Sequence, residues 1–181
     1  MITIASNTWE KAFVKSVKGL SHQRSGIAFD PSWADVERPR PFHPDDGLHV
    51  LQSNCSLMDS GNGLNAKGHD HGRYYLLNIG QTDQVVSNAW GGYFDAGDWD
   101  RRIQHLDVAR LLFELFELHP DYFSNLALQL PEQGGAHPDI IDEALWGLDF
   151  FRRMQEPDGG IRGGIDCAAH PRYGEASWQN S

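Results

Sequence analysis

The chain has 181 residues, enough for one ordinary domain, and its 40% hydrophobic and 22% charged residues are typical of a globular protein. A formal net charge of −10, from 15 basic and 25 acidic residues, argues against a nucleic-acid binder, which needs a positive face. No apolar run approaches the roughly 20 residues of a membrane span, so we expect no membrane partner either. Cys55 and Cys167 lie far apart, and we predict free thiols rather than a disulfide.

The first predicted helix covers residues 8–23, with Thr8 as its N-cap. Its apolar residues recur at helical spacing, at Trp9, Phe13, Val17 and Leu20. The next stretch, 27–88, is rich in proline and glycine, and short strands are expected only near 48–51 and 74–80. An irregular connection of this length is typical of functional loops.

Two more strongly apolar helices are predicted in the second half of the chain. One covers 103–119 and is stopped by Pro120. Its apolar surface is broad: Ile103, Leu106, Ala109, Leu112, Phe113, Phe116 and Leu118. The other covers 138–155 and ends in a turn at 157–160. Its predicted buried stripe is Ile141, Leu145, Leu148, Phe151 and Met154. Helices this apolar need further helices to pack against, so the pattern predicts an all-α domain that is incomplete.

The segment GGYFDAGDWDRRI at 91–103 concentrates the chemistry of the chain. Asp95, Asp98 and Asp100 crowd together ahead of a predicted helix, whose N-terminus favours ionised carboxylates. An ionised, accessible carboxylate can act as a general base on water. Simpler roles remain open, since Asp100 fits a helix N-cap, whereas the spacing does not fit a calcium loop. Four aromatic rings have flat faces suited to sugars: Trp90, Tyr93, Phe94 and Trp99. Trp146 and Phe150, inside a helix, are expected in the core.

The same segment resembles the glycine-glycine-aromatic-x-Asp-Ala-Gly-Asp signature of glycoside hydrolase family 9. Two other blocks resemble that family in the same order, QRSGI at 23–27 and PDIIDEALWGLDFFRRMQEPDGG at 138–160. The resemblance implies that residues 1–181 are the N-terminal part of a catalytic domain. It also implies an all-α fold, namely the first few helices of an (α/α) toroid of six hairpins with long irregular loops.

The resemblance further implies inverting hydrolysis of β-1,4-glycosidic bonds in glucans, without a cofactor or metal. Asp98 corresponds to the general base, and Asp95 helps to hold the same water. The residues expected to contact the β-linked oligo- or polysaccharide are Tyr93, Phe94, Trp99, His170 and Trp178. The family's general acid is a glutamate near the end of a much longer domain, and no residue here matches its motif. The chain alone is therefore not expected to turn over substrate.

Two alternatives to a cellulase follow from this sequence. Many cellulases of the family have His-x-x-Trp after the Asp-Gly-Gly turn, whereas His170 and Trp178 here are eight residues apart. That departure favours an exo-acting β-glucosaminidase or a cello-oligosaccharide hydrolase of the same family. From another class, a non-catalytic carbohydrate-binding protein would use the same aromatic and acidic cleft.

A metal site at 69–71 (His-Asp-His) lacks an identifiable third ligand. The family resemblance implies an extracellular or periplasmic protein, although residues 1–13 do not resemble a secretory signal.

Overall fold

The computed structural model describes residues 7–54, 80–94 and 103–165, and it is rich in helix with one small β-ribbon. The helices are α1 (Thr8–Ser21), α2 (Leu106–Leu118), α3 (Pro120–Phe123) and α4 (Asp139–Arg153). The strands are β1 (Leu51–Ser53) and β2 (Gln81–Val85), and single 3-10 turns lie at Pro44–Asp46 and Ile103–His105. Within these three ranges, no helix is long and apolar enough to cross a membrane.

All three predicted helices are confirmed to within a few residues of their ends. The predicted N-cap of the first is wrong, because Thr8 is already helical and Asn7 precedes it without a side-chain cap bond. Trp9, one of the apolar residues at helical spacing, is 86% exposed at the first turn and lies outside the buried face of the helix. The helix ahead of Pro120 does end there, and the proline starts α3, because its fixed φ suits a first helical position.

The β-ribbon closes part of the connection between α1 and α2. The strands β1 and β2 run antiparallel, with Leu51 opposite Val85 and Ser53 opposite Gln81 across an irregularity in register. The strand β1 therefore begins at Leu51, the last residue of the strand predicted at 48–51. The second predicted strand, at 74–80, lies almost wholly outside the described residues, and the observed strand begins just after it.

One hydrophobic core joins α1, α2 and α4. Its buried members are Val17, Ala109, Leu112, Phe123, Leu128, Leu130, Ile140 and Ala144. The partly buried rings and branched side chains around them include Phe13, whose ring lies 5.3 Å from that of Phe123. The core leaves part of α2 uncovered, since Leu111 is 50% exposed and Leu118 is 70% exposed. The apolar surface predicted on more than one face of this helix is thus present, and one face of it lacks a packing partner among the described residues.

The buried face of α4 agrees with only part of the predicted stripe, since Phe151 and Met154 are buried as predicted and the other three residues are not. Leu148 is exposed at the surface, and Ile141 and Leu145 are only partly buried. The face turned inward carries Ile140, Glu143, Ala144, Gly147, Phe150 and Phe151. Hydrophobic periodicity missed this face because an acidic residue and a glycine lie at its centre. Both of these residues contact the candidate site.

Candidate functional site

Residues 91–94, which lead directly into Asp95, are held against the end of α1 by backbone hydrogen bonds. The amide of Ser25 donates to the Gly92 carbonyl at 2.9 Å, and the amide of Phe94 donates to the Gln23 carbonyl at 2.8 Å. These bonds form an isolated antiparallel bridge between residues 24 and 93. The chain just before the acidic cluster is therefore part of the folded framework.

Both glycines of this segment have a backbone that only glycine adopts readily. Gly91 has φ of 101° and Gly92 has φ of 69°. At Gly91 a Cβ would also lie 2.7 Å from the Arg153 guanidinium. That guanidinium stacks 4.0 Å from the ring of Trp90 and donates to its carbonyl at 2.9 Å. The glycine pair thus allows the close approach of α4, from which Trp146 also donates its indole N–H to the Gly92 carbonyl at 2.9 Å.

Arg24, Glu143 and Glu132 form a buried ionic network beneath the segment. Arg24 and Glu143 are fully buried, and the guanidinium donates from Nε and Nη2 to the two carboxylate oxygens at 3.3 and 3.1 Å. Nη1 of Arg24 donates to both oxygens of the half-buried Glu132 at 2.9 and 3.1 Å. The guanidinium carbon also lies 4.6 Å from the Trp146 ring. One cation therefore joins the end of α1, the loop before α4 and α4 itself.

Tyr93 connects the acidic segment to that network. Its hydroxyl lies 2.7 Å from Oε1 of Glu143 and 3.0 Å from the Glu143 carbonyl. Its ring packs on the backbone of Gly147, where an added Cβ would lie only 2.9 Å from Cε2 of the ring. Tyr93 is 3% exposed, so it does not present a flat face to a sugar ring as the sequence predicted. It belongs to the support of the segment.

The ionisable groups of the network shift one another's pKa values. Burial alone lowers the pKa of Arg24, but the carboxylates of Glu143 and Glu132 outweigh it, so this pKa lies above its ordinary value. Burial raises the pKa of Glu143, and the Arg24 charge and the Tyr93 hydroxyl bond limit that rise. The arginine is therefore a permanent cation, with its full charge set against a buried carboxylate.

Phe94, the other predicted sugar platform, is also buried, at 5% exposure. Its ring lies 5.6 Å from Phe42 in a second core cluster, which includes Phe150 and Phe151. The guanidinium of Arg38 lies 5.3 Å from the Phe94 ring and donates to the Arg24 carbonyl at 2.6 Å. Burial lowers the pKa of Arg38 to about 10, which still leaves it charged at neutral pH. The predicted role of Phe94 in sugar contact is therefore wrong for this structure.

Trp90, immediately before the acidic motif, reaches an open surface in the described residues. It lines a cleft of about 1020 Å³ together with Trp33 and Trp146. The polar side chains of the cleft wall are Asp30, Ser32, Arg40, His43 and Gln133. The ring of His43 lies 4.4 Å from that of Trp90, whose ring also stacks with the charged Arg153. Trp146, which was expected in the core, is half-buried at this cleft, whereas Phe150 is in the core as predicted.

Several predicted site residues lie outside the described residues, namely Asp95, Asp98, Trp99, His170 and Trp178. The same holds for the predicted N-cap Asp100 and for the histidine pair at 69–71. Within the described residues, no group of three or more His, Cys, Asp or Glu side chains is arranged to hold a metal ion. The described part of the site is thus the framework of the acidic segment.

Sequence reasoning missed Arg24 and Glu143 as partners. Each lies in one of the two blocks that resembled the family, QRSGI at 23–27 and PDIIDE at 138–143. The signal was therefore present, but 119 positions separate the two residues, and nothing local pairs them. Another acidic residue of the second block, Asp139, is buried and accepts a bond from the Leu128 amide at 2.7 Å.

No protein-family model matches the chain. It is 36% identical over 149 residues to a xyloglucan-specific endo-β-1,4-glucanase of Bacteroides ovatus, a match covering 81% of this chain and 22% of the relative. It is 26% identical over 160 residues to endoglucanase D of Acetivibrio thermocellus, covering 88% and 21%. A cellulose 1,4-β-cellobiosidase of Acetivibrio thermocellus is 29% identical over 178 residues, covering 92% and 19%. The chain thus spans about a fifth of the length of these curated relatives.

Solved structures of the same family have a similar fold. A family 9 glycoside hydrolase of Bacteroides ovatus superposes with a TM-score of 0.65 at 26% identity, covering 88% of this chain and 26% of that one. A family 9 endoglucanase, J30, gives a TM-score of 0.66 at 21% identity, covering 98% and 30%, a likeness that shows the fold alone. Sequence relatives and structural neighbours agree, and the chain belongs to glycoside hydrolase family 9.

Proposed function

We propose that the protein containing this chain hydrolyses β-1,4-glycosidic bonds in glucans, in the manner of an endoglucanase. The observation that carries the proposal is family membership over most of the chain, because the relatives include a named endo-β-1,4-glucanase and a named endoglucanase. A β-linked glucan is accordingly the proposed substrate. An open cleft with three indole rings and several hydrogen-bonding side chains at its wall suits such a ligand, since aromatic faces and polar groups together recognise sugars.

We further propose that residues 1–181 form the N-terminal part of the catalytic domain, with its first helices arranged as part of an (α/α) toroid. Support comes from α2, where Leu111 and Leu118 remain exposed on a helix whose other face is in the core. Large exposed apolar side chains in one region usually mark a surface that another element covers. In a toroid, the next helical hairpins would cover it.

The proposed mechanism places the general base at Asp98 and the orienting carboxylate at Asp95. Asp98 takes a proton from water, and the water oxygen attacks the anomeric carbon from the face opposite the leaving group, which inverts its configuration. A general acid protonates the leaving oxygen, and inversion needs the two carboxyl groups about 6.5–9.5 Å apart. The acid is proposed to come from the part of the protein beyond this chain. Trp99, His170 and Trp178 are proposed to contact the glucan.

The test uses Asp98→Asn in the full-length protein, because asparagine keeps the size of the side chain and removes the proton acceptor. Glucan hydrolysis should fall by about 10²–10⁴, the usual contribution of a general base. Asp95→Asn should lower the rate by a smaller factor, since it loosens the water without removing its base. Asp100→Asn is the matched control in the same segment and should have a mild effect, because asparagine caps a helix about as well as aspartate.

Product analysis completes the test. Proton NMR of the first sugar released should show the α-anomer before mutarotation, as expected for inversion at a β-linkage. Undiminished activity of Asp98→Asn, or a β-anomeric first product, would remove Asp98 from its proposed role. Glucan binding without any hydrolysis by the full-length parent protein would instead favour a carbohydrate-binding protein, and release of terminal glucosamine would favour the exo-acting alternative.

A further inference from the structure

The network of Arg24, Glu143 and Tyr93 has no evident place in the chemistry of the proposed reaction, yet it is among the most deeply buried polar groups described. Arg24 and Glu143 are inaccessible to solvent, and Tyr93 is 3% exposed. Burying an ion pair costs desolvation energy that its attraction often fails to recover, so apolar residues of similar volume stabilise a fold at least as well. Stability alone is therefore a weak reason for this arrangement.

The network acts on one short segment. Tyr93 lies two residues before Asp95 and five before Asp98 in the chain. Its hydroxyl is tied to Glu143 at 2.7 Å, and Glu143 is tied to Arg24 through both carboxylate oxygens. From the same helix α4, the Trp146 indole donates to the Gly92 carbonyl at 2.9 Å, and the Ser25 amide, just after α1, donates to that carbonyl at 2.9 Å. Residues 92 and 93 are thus fixed from α1 and from α4 at once.

We propose that Arg24, Glu143 and Tyr93 are positioning residues. They fix the backbone of residues 92 and 93, which leads into the proposed catalytic carboxylates, and so set the position of Asp95 and Asp98 relative to the glucan. The inference rests on the proposed function of those two aspartates. A packed phenol ring and a charged, bidentate bond hold a backbone more narrowly than apolar packing does, because hydrogen-bond geometry is directional. A general base needs such precision, since a displacement of about 1 Å can cost 10²-fold in rate.

The central variant is Tyr93→Phe in the full-length protein, which removes one hydroxyl and keeps the ring that packs on Gly147. We expect kcat on a soluble glucan to fall by about tenfold with KM nearly unchanged, because the ground-state contacts to substrate are retained. Trp146→Phe removes a second side-chain bond to the segment and should also lower kcat, but KM should rise as well because the Trp146 ring lines the proposed glucan cleft. The control is Tyr122→Phe, which removes an exposed tyrosine hydroxyl bonded to Glu10 at 3.0 Å and should leave both constants unchanged.

A double-mutant cycle with Asp98→Asn separates positioning from a general structural effect. If Tyr93 acts by placing the base, Tyr93→Phe should have almost no effect on the residual rate once that base is gone. A purely structural role would lower the rate by the same factor in both backgrounds. An unchanged kcat in Tyr93→Phe, or an equal loss in both backgrounds, overturns the inference while leaving the proposed function intact. Full activity of Asp98→Asn by itself refutes the proposed mechanism instead.

Discussion

Gly147 lies in the middle of α4, where the ring of Tyr93 packs directly on its backbone. Alanine at an ordinary position inside a helix is about 1 kcal/mol more favourable than glycine. At Gly147, however, the new Cβ would lie 2.9 Å from Cε2 of Tyr93, so the ring has to retreat by roughly 0.5–1 Å to reach ordinary contact. The retreat is resisted at the far end of the ring by the hydroxyl, whose single O–H lies 2.7 Å from Oε1 of Glu143 and 3.0 Å from its carbonyl oxygen.

Overpacking of this kind costs about 1–3 kcal/mol, which equals or exceeds the gain in helix propensity. We therefore expect Gly147→Ala to destabilise the protein by about 0–2 kcal/mol after subtraction of the propensity gain. Gly19→Ala in α1 is the matched control, since a Cβ added at that position would meet no neighbouring atom within 4 Å. That substitution should stabilise by about 0.5–1 kcal/mol. The two variants should thus differ in stability by about 0.5–3 kcal/mol, with Gly147→Ala the less stable of the two.

Urea unfolding of the full-length protein measures the difference as a shift in midpoint at constant slope. The cause is checked in a Tyr93→Ala background, where the ring is absent and Gly147→Ala should become neutral or stabilising. The coupling between the two positions should then reach about 0.5–3 kcal/mol. Equal stabilisation by Gly147→Ala and Gly19→Ala, or strict additivity with Tyr93→Ala, would refute the reasoning.

Two further predictions concern buried charge. Arg24→Met should lower the free energy of unfolding by about 3–5 kcal/mol, because it leaves Glu143 buried without its cation. The double variant Arg24→Met/Glu143→Leu removes both charges and should recover most of that loss in thermal melts. His22 packs against the rings of Phe29 and Trp33, and burial lowers its pKa below the ordinary value of 6.5. The unfolded chain then binds more protons than the folded one as pH falls below about 6.5, so His22 should make the protein less stable on acidification. His22→Gln should therefore flatten the plot of melting temperature against pH below about pH 6.5. An unchanged slope of that plot would exclude His22 as a cause of the loss of stability on acidification.

The amino-acid sequence by itself determined the helices of this chain and identified the segment that we propose to carry its chemistry. Apolar residues at helical spacing placed all three long helices, because that spacing is local and follows from about 3.6 residues per turn. The motif at 91–103 identified the acidic cluster, because its glycines and aspartates are adjacent in the chain. Pro120 marked the end of α2 for the same reason, since the restriction that proline places on a helix is local.

Tertiary structure alone decided which residues face the core and which reach the surface. Tyr93 and Phe94 were predicted at the surface because aromatic residues beside aspartates suit a sugar site, but both rings are buried. The buried face of α4 was predicted only in part, at Phe151 and Met154, because Glu143 and Gly147 break its hydrophobic pattern. Each has its partner far along the chain: Glu143 pairs with Arg24, and Gly147 makes room for the Tyr93 ring. A polar or small residue looks unfavourable in a local pattern and becomes favourable only when a distant partner supplies the charge or fills the space.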